Sequence, residues 1–407
     1  MITLKQLIMN KKRLSLVMAF VVTTMLTSFS QDDENKIGYE FEVIQKLEHT
    51  SVKNQFRSGT CWSFSAISFL ESELLRMGKP QINLSEGWVI RHSYSDKAVR
   101  YVRWHGNLNF AGGGAFHDVT NCMINYGIVP EEICNGLNYG TDKFVHGEFD
   151  TVLKGYMDEV IKNRNKELTT AWHYGLEGIL DAYLGNKIEN FSYKGEEYTP
   201  ESFVTEYLEL KPEDYIEITS FTHHPYYSKF ILEVPDNWSY DEVYNVTLDD
   251  FVEIIDYSIE NGYTVAWAGD VSEKGFSWKK GIAVVPDVEY EETGGTDKER
   301  LTGLTTKEKN ELIYSFEQPV KELEITPELR QKAFDNYSTT DDHGMHIVGI
   351  AKDQNGTKFY IVKNSWDTDN PFNGYIYMSE AFIKYKATDI MINKNVLPKD
   401  IKKKLNL

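Results

Sequence analysis

The sequence contains only three cysteines among its 407 residues, Cys61, Cys122 and Cys134. Three thiols can form at most one intramolecular disulfide, so at least one of them stays free. Cys122 and Cys134 could form that disulfide, but their apolar neighbours equally allow both to be buried free thiols. The odd thiol is the pattern expected when one cysteine serves as a nucleophile.

Basic residues are scarce relative to acidic ones. Lys and Arg number 43 against 62 Asp and Glu, which gives a formal net charge of −19. The first 30 residues hold four basic and no acidic side chains, so without them the charge is −23, from 39 basic and 62 acidic residues. A surface this acidic repels phosphate backbones and anionic lipid. Nucleic acid is therefore not an expected partner.

Long apolar runs are also rare, and the clearest one is Leu14 to Leu26. Basic residues precede it, and Ser28-Phe29-Ser30 and an acidic stretch follow it. This order predicts a secretory signal peptide over residues 1–30 and export of the mature chain to the periplasm or the extracellular space. The alternative is an N-terminal membrane anchor, for which so short a run is marginal. We expect no stable membrane span after signal removal.

A polar, glycine-containing loop leads into an apolar helix that starts at Cys61. Phe64, Ile67, Leu70 and Leu74 recur at helical spacing, and Thr60 precedes them as a plausible N-cap. A thiol at the first position of a helix faces unpaired N–H groups and the positive end of the helix dipole, which lower its pKa. The alternative is a small buried hydrophobic side chain.

Gln55, six residues before Cys61, favours the nucleophile over that alternative. Its side-chain amide can point a donor at the oxyanion that forms when Cys61 attacks a carbonyl group. The loop and the helix start together predict nucleophilic catalysis at Cys61.

A second group of polar residues lies near the end of the chain. His343 opens a predicted strand, and a turn around Gly356 leads into a second strand that ends at Asn364. The hairpin brings His343 close to Asn364, whose amide can orient the imidazole as a general base, with Trp366 shielding the bond from water. His346 is three residues from His343 and is expected on the opposite face of the strand, so a zinc site with both is disfavoured.

The segment from Gln55 to Ala66 resembles the active-site segment of papain-like cysteine peptidases. Asn364-Ser365-Trp366 is similar to the Asn-Ser-Trp of that family, and His343 stands six residues before Gly349, as the catalytic histidine does there.

The branch within the family is indicated by Ser58-Gly59 and by long insertions. Ser58 stands where simple papain-like enzymes carry a disulfide-forming cysteine, and 216 residues separate Gly127 from His343. Both features resemble the bleomycin hydrolase and aminopeptidase C group.

This resemblance implies an α+β, papain-like two-lobed fold, with a helical lobe, a β-barrel-like lobe, a cleft between them and large insertions. The implied site residues are, for catalysis, Cys61, His343, Asn364 and Gln55, and, for substrate binding, Gly113, Gly114 and Trp366. The glycines would let a substrate backbone come close enough to pair as an extra strand. The resemblance further implies peptide substrates, a homo-hexamer, and no cofactor or metal.

At 407 residues the chain is long enough for two or three domains, and its hydrophobic content of 41% predicts a globular protein. After the signal peptide, we predict a helical lobe with the nucleophile at residues 31–140 and a mainly helical insertion at 141–215. A β lobe with the histidine and the asparagine follows at 216–407, and it contains a charged insertion at about 272–335.

The C-terminal tail separates two kinds of peptidase. In the resembled group the tail lies in the cleft, where its carboxylate restricts the enzyme to free N-termini. We expect this aminopeptidase arrangement, with the carboxylate of Leu407 facing the substrate amine. The alternative is that Ile401 and Leu405, four residues apart, dock a helical turn on the body and leave the cleft open for internal cleavage.

Two other classes of function are weaker. A catalytically silent secreted binding protein would have lost at least one of the four catalytic residues, and all four are present. A cysteine amidase or transglutaminase-like enzyme gives no reason for the spacing of Gln55 and Cys61.

Overall fold

The computed structural model describes residues 37–164, 166–288 and 303–407. The predicted signal peptide lies outside these ranges, and the predicted charged insertion at 272–335 lies within them only in part. Within these ranges, no helix combines the length and the apolar character that crossing a bilayer requires.

Helices and strands alternate in blocks along the chain. The α-helices are α1 Cys61–Arg76, α2 Glu86–Arg103, α3 Phe116–Tyr126, α4 Gly147–Ile161, α5 Ala171–Leu184, α6 Pro200–Ser202, α7 Leu248–Glu260, α8 Thr306–Ile313, α9 Pro327–Asp335, α10 Glu380–Lys386 and α11 Lys399–Lys404. A π-helical segment, Phe203–Leu208, and two 3-10 segments, Pro212–Asp214 and Lys394–Val396, complete the helical set.

The strands are β1 Phe41–Lys46, β2 Phe191–Tyr193, β3 Glu196–Tyr198, β4 Tyr215–Thr219, β5 Lys229–Ile231, β6 Glu242–Asn245, β7 Val265–Gly269, β8 Phe276–Ser277, β9 Ile282–Ala283, β10 His343–Asp353, β11 Lys358–Lys363, β12 Tyr375–Ser379 and β13 Ala387–Asn393. Except for the hairpin β2–β3, these described strands form one sheet in the order β5-β6-β4-β13-β7-β10-β11-β12-β9-β8, with β1 paired to β10.

The helical half is built around α1. The apolar residues that predicted this helix, from Phe64 to Leu74, are all buried, and the helix is followed by Gly78 with φ +76°. Ser85 caps α2 by accepting a hydrogen bond from the Trp88 backbone N–H. Buried residues of α4 and α5 belong to the same hydrophobic core as α1, and both helices contact α2, so the predicted helical insertion extends the core of the helical half.

The strand β10 lies in the middle of the sheet and carries His343 at its first position. It pairs antiparallel with β7, β11 and β1. The pairing of β1 with β10 puts residues 41–46 in the sheet, although the sequence assigned this segment to the helical half. Short alternating strands carry too little sequence information to reveal a partner 300 residues away.

A glycine lets β10 approach the start of α1 closely. A Cβ atom on Gly344 would lie 2.7 Å from Ser65 Oγ and 3.4 Å from both Cys61 O and Trp62 Cα. Because there is no side chain at this position, the strand that begins with His343 can pack against the first turn of the helix that begins with Cys61.

The C-terminal tail docks on the β half. Ile401 is fully buried and Leu405 is 5% exposed, and both belong to the same core cluster as Phe251 of α7. Lys404 Nζ lies 3.1 Å from Asp250 Oδ2 at the start of α7. The expectation that the tail occupies the cleft is wrong, because burying two apolar side chains holds it against α7. The docked helical turn, which was the alternative, is confirmed.

Candidate active site

A small pocket lies in the cleft beside Cys61. Its wall includes Cys61 and Trp62 from α1, His343 from β10, and Gly114 from residues 112–114, here called the glycine loop. The two halves of the chain therefore bring the predicted nucleophile and the predicted base to one space.

Cys61 is the first residue of α1 and is partly exposed. The preceding Thr60 does not cap the helix, since its hydroxyl group is paired with that of Ser58 at 2.6 Å. Burial raises the pKa of Cys61 to about 12; backbone groups of neighbouring residues oppose the shift, and the charges of Asp236 and Asp341 add to it. The predicted lowering of this pKa is wrong, because nearby carboxylates and desolvation outweigh the helix N-terminus.

His343 is held in one orientation. Its Nε2 lies 2.8 Å from Asn364 Oδ1, and its ring stacks on Trp366 with centroids 4.5 Å apart. Asn364 Oδ1 also accepts from the Ser365 backbone N–H at 2.7 Å. Because Oδ1 is an acceptor, Nε2 carries the ring proton and Nδ1 is left with a free lone pair.

Burial lowers the pKa of His343 to about 4, although the bond to Asn364 opposes the shift. Both shifts favour the uncharged forms of the Cys61 thiol and the His343 imidazole.

Gln55 is buried and its amide is fixed by two bonds. Its Oε1 accepts from Ser365 Oγ at 2.6 Å, and its Nε2 donates to Ser58 O at 2.9 Å. The second Nε2 proton remains as a donor. Sequence reasoning missed Ser365 as the residue that orients Gln55; its position next to Asn364 was the available signal.

His346 has a different environment from His343. Its Nδ1 lies 2.9 Å from Ser68 Oγ, on the side of β10 that faces α1, and it does not line the pocket beside Cys61. Lys363 Nζ donates to the same Ser68 hydroxyl at 2.7 Å. The two histidines face different surroundings, as the odd spacing along the strand predicted.

The two predicted substrate-binding glycines differ in access. Gly114 lines the pocket, and a Cβ there would lie 2.8 Å from Trp62 Cε2. The carbonyl oxygen of Gly113 already accepts a hydrogen bond from Lys97 Nζ. The space beside its Cα is filled by Asp236, since a Cβ would lie 2.1 Å from Asp236 Oδ2. Only Gly114 presents a surface to the pocket.

Residues 232–241, here called the strap, cross from the β half to the helical half. Four hydrogen bonds join the strap to helical-half residues: Asn109 Nδ2 to Asp236 Oδ1 at 3.0 Å, Trp238 Nε1 to Asp118 Oδ2 at 2.7 Å, Ser239 Oγ to His117 Nε2 at 2.9 Å, and Asn121 Nδ2 to Asp241 Oδ2 at 2.7 Å. Strap residues also line the pocket. The strap therefore closes the pocket on one side, and no sequence motif indicated it.

The other two cysteines are not bonded to each other. Cys122 and Cys134 are free and buried, with their sulfur atoms near the carbonyl oxygens of Gly127 and Leu184, respectively. Of the two alternatives left open by the sequence, the structure has the free thiols.

A possible ligand set for a metal ion lies outside the pocket. His223 and His224 each pair with one oxygen of Glu233, at 3.0 and 2.9 Å, and one ligand atom from each residue lies within 4.8 Å of the others. Sequence reasoning missed this group, although the adjacent histidines were visible. None of the three residues lines the wall that contains Cys61.

Both ends of the chain match models of papain-like peptidases. Residues 39–142 match the papain family cysteine protease model, and residues 295–407 match the Peptidase C1-like family model. The two matched stretches contain Cys61 and His343 with Asn364, respectively.

Relatives match over most of the chain. Aminopeptidase C of Lactobacillus delbrueckii subsp. lactis is 23% identical over 92% of this chain and 86% of its own length. Cysteine proteinase 1, mitochondrial, of Saccharomyces cerevisiae is 20% identical over 94% of this chain and 84% of its own length. The crystal structure of PepW from Lactobacillus rhamnosis HN001 superposes with a TM-score of 0.68 at 17% identity, covering 100% of this chain and 95% of that one.

The fold match to PepW and the sequence matches to cysteine peptidases agree with each other across both halves of the chain. The chain is a papain-like cysteine peptidase, related to aminopeptidase C and the bleomycin hydrolase group.

Proposed function

We propose that the chain is an aminopeptidase that releases N-terminal residues from peptides through Cys61, His343 and Asn364. The observation that carries this proposal is the strap, which closes the pocket beside Cys61 by bonding to the helical half. We infer that the strap limits how far a substrate chain extends beyond the pocket on that side of the scissile bond. The names of the related aminopeptidases support the same activity.

The first chemical step is acylation. The Cys61 sulfur attacks the carbonyl carbon while its proton passes to Nδ1 of neutral His343. The oxyanion is stabilised by the free Nε2 proton of Gln55 and by the Cys61 backbone N–H, which has no intrahelical acceptor at the first helical position. The C–N bond then breaks as the His343 imidazolium gives its proton to the leaving amine.

The second step is hydrolysis of the thioester. Water loses a proton to His343 as it attacks the acyl carbon, and the departing Cys61 sulfur takes that proton back. Asn364 keeps the imidazole aligned through both steps, because its Oδ1 holds the Nε2 proton at 2.8 Å. The cycle uses only groups of this chain and one water molecule.

The test uses two peptides that differ only in a free or an acetylated N-terminus, with Cys61→Ala as the inactive control. We expect single-residue release from the free peptide, little cleavage of the acetylated one, and no cleavage of either by the control. Internal cleavage of both peptides at similar rates would instead identify an endopeptidase. If the Cys61→Ala variant still cleaved either peptide, Cys61 would not be the nucleophile.

We also propose that the chain is exported, supported by the order of basic, apolar and small residues over 1–30. Intact-mass analysis of the protein from its native host checks this. A mature chain starting near Gln31 supports export, and a chain that retains residues 1–30 contradicts it.

A further inference from the structure

The pocket beside Cys61 is strongly acidic. Five carboxylates line it: Glu217, Asp236, Asp341, Asp342 and Asp389. They come from four separate segments of the chain, so their convergence is a property of the fold. Among the described residues of this wall, His117 is the one cationic side chain; burial opposes its charge, but Glu217 and nearby aspartates raise its pKa to about 10.

One buried oxygen of this wall has no hydrogen-bond donor. Glu217 exposes 6% of its side chain; its Oε2 lies 3.0 Å from His117 Nδ1, whereas its Oε1 has no partner among the described residues. A buried acceptor without a donor is unfavourable, and a donor from a ligand would satisfy it.

The neighbouring acids are close enough to act on one another's charge. The charges that act most strongly on Asp341 are other carboxylates, including Asp236 and Asp389. Burial and the charge of Glu217 raise the pKa of Asp389 to about 8, against the weaker opposing effect of Arg330. Burial raises the pKa of Asp236, and the charge of Lys97 and the hydrogen bond from Asn109 oppose that shift.

We propose that this pocket binds a positively charged group of the peptide substrate, an ammonium, next to the bond that Cys61 attacks. The inference rests on the proposed peptidase function and replaces the C-terminal carboxylate as the group that recognises the cation. A small metal ion is a poorer occupant, because no three of these carboxylates bring their oxygens within 4.8 Å of one another among the described residues. An ammonium on a flexible chain can contact separated carboxylates in turn.

The ammonium has two sources in a peptide, the free α-amine and a lysine side chain. Binding is measured by calorimetry on the full chain carrying Cys61→Ala, so that turnover plays no part. The probes are leucinamide, which has a free α-amine, N-acetyl-lysinamide, which has only the side-chain amine, and neutral N-acetyl-leucinamide.

Three variants are made in that background. Asp341→Asn and Asp389→Asn each replace a pocket carboxyl group by an amide of nearly the same shape. Asp249→Asn removes an exposed carboxylate of α7 that does not line the pocket. Thermal unfolding checks each fold, and Asp341 is the safer site because its side chain is only half-buried.

We expect at least one cationic probe to bind tenfold or more tightly than the neutral probe. The two pocket variants should reduce that ratio to below threefold, and Asp249→Asn should keep it. Preference for leucinamide identifies the α-amine, and preference for N-acetyl-lysinamide identifies the side chain.

Equal binding of all three probes, or a ratio that persists in both pocket variants, overturns the proposal. Failure of the peptidase function is seen separately, as wild-type protein that hydrolyses no peptide. If wild-type protein hydrolyses peptides but no cationic probe binds more tightly than the neutral one, the peptidase function stands and the proposed cation-binding role of the pocket is rejected.

Discussion

Replacing Ser365 with alanine should slow turnover about tenfold, although Ser365 does not touch the substrate. Its Oγ lies 2.6 Å from Gln55 Oε1, and the two residues are only 7% and 6% exposed. The alanine variant leaves a buried acceptor without its donor, at a cost of about 1–3 kcal/mol. The amide can relieve that cost only by turning, which also breaks the bond from Nε2 to Ser58 O.

The expected magnitude follows from the role of Gln55. Losing an oxyanion donor outright slows turnover roughly 10²–10³-fold, and we expect Gln55→Ala to lie in that range. Misdirecting the donor should cost less, about tenfold or 1.4 kcal/mol. The Michaelis constant should change little, because the bond strengthens the transition state more than the bound substrate.

A double-mutant cycle separates misdirection of the Gln55 amide from general damage to the fold. If Ser365 acts through Gln55, adding Ser365→Ala to Gln55→Ala should slow turnover by less than about twofold further. Ser258→Ala is the matched control, since it also removes a fully buried hydroxyl, one that donates to Ile254 O within α7. If the rate reductions of Ser365→Ala and Gln55→Ala multiplied in the double variant, the two residues would act independently and the argument would be refuted.

Three other predictions follow from the same geometry. His343→Ala should abolish measurable hydrolysis, while His346→Ala should keep activity within about tenfold of wild type. Initial rates of peptide hydrolysis test this, and the reverse order would identify His346 as the general base. Because the pKa of His343 is lowered to about 4 and that of Cys61 is raised to about 12, kcat/KM should rise as pH increases through 4 and then stay flat to roughly pH 9. A rise of kcat/KM centred near pH 6.5 would contradict the lowered pKa of His343. Ile401→Ala should lower the free energy of unfolding in denaturant by about 2–5 kcal/mol, since Ile401 is fully buried, and it should leave the cleavage products unchanged. Altered products would indicate that the tail acts in the cleft.

Local patterns in the sequence were sufficient to predict how the chemistry-bearing segments fold. Cys61 begins a helix because a polar loop precedes four apolar residues at helical spacing. The bond between His343 and Asn364 follows from a hairpin whose turn could be read directly. These features depend on residues within a short stretch of chain, so the sequence alone could indicate them.

Features that depend on distant residues could not be predicted. The pKa of Cys61 was judged from its helix, but burial between the two halves, and then the charges of Asp236 and Asp341 far away in sequence, act against that effect. The tail was assigned by resemblance, while its position depends on the burial of Ile401 against α7. The strap contains no motif, and its partners lie about 120 residues earlier in the chain.

The strap also bears on which proteins in the surroundings can be attacked. An internal loop of a folded protein has chain on both sides of every peptide bond, whereas short peptides and frayed chain ends do not. Four hydrogen bonds hold the strap to the helical half beside the pocket. Under the proposed aminopeptidase function, such an enzyme acts on peptide fragments and spares intact neighbours, because the strap excludes continuous chain whatever side chains the pocket prefers.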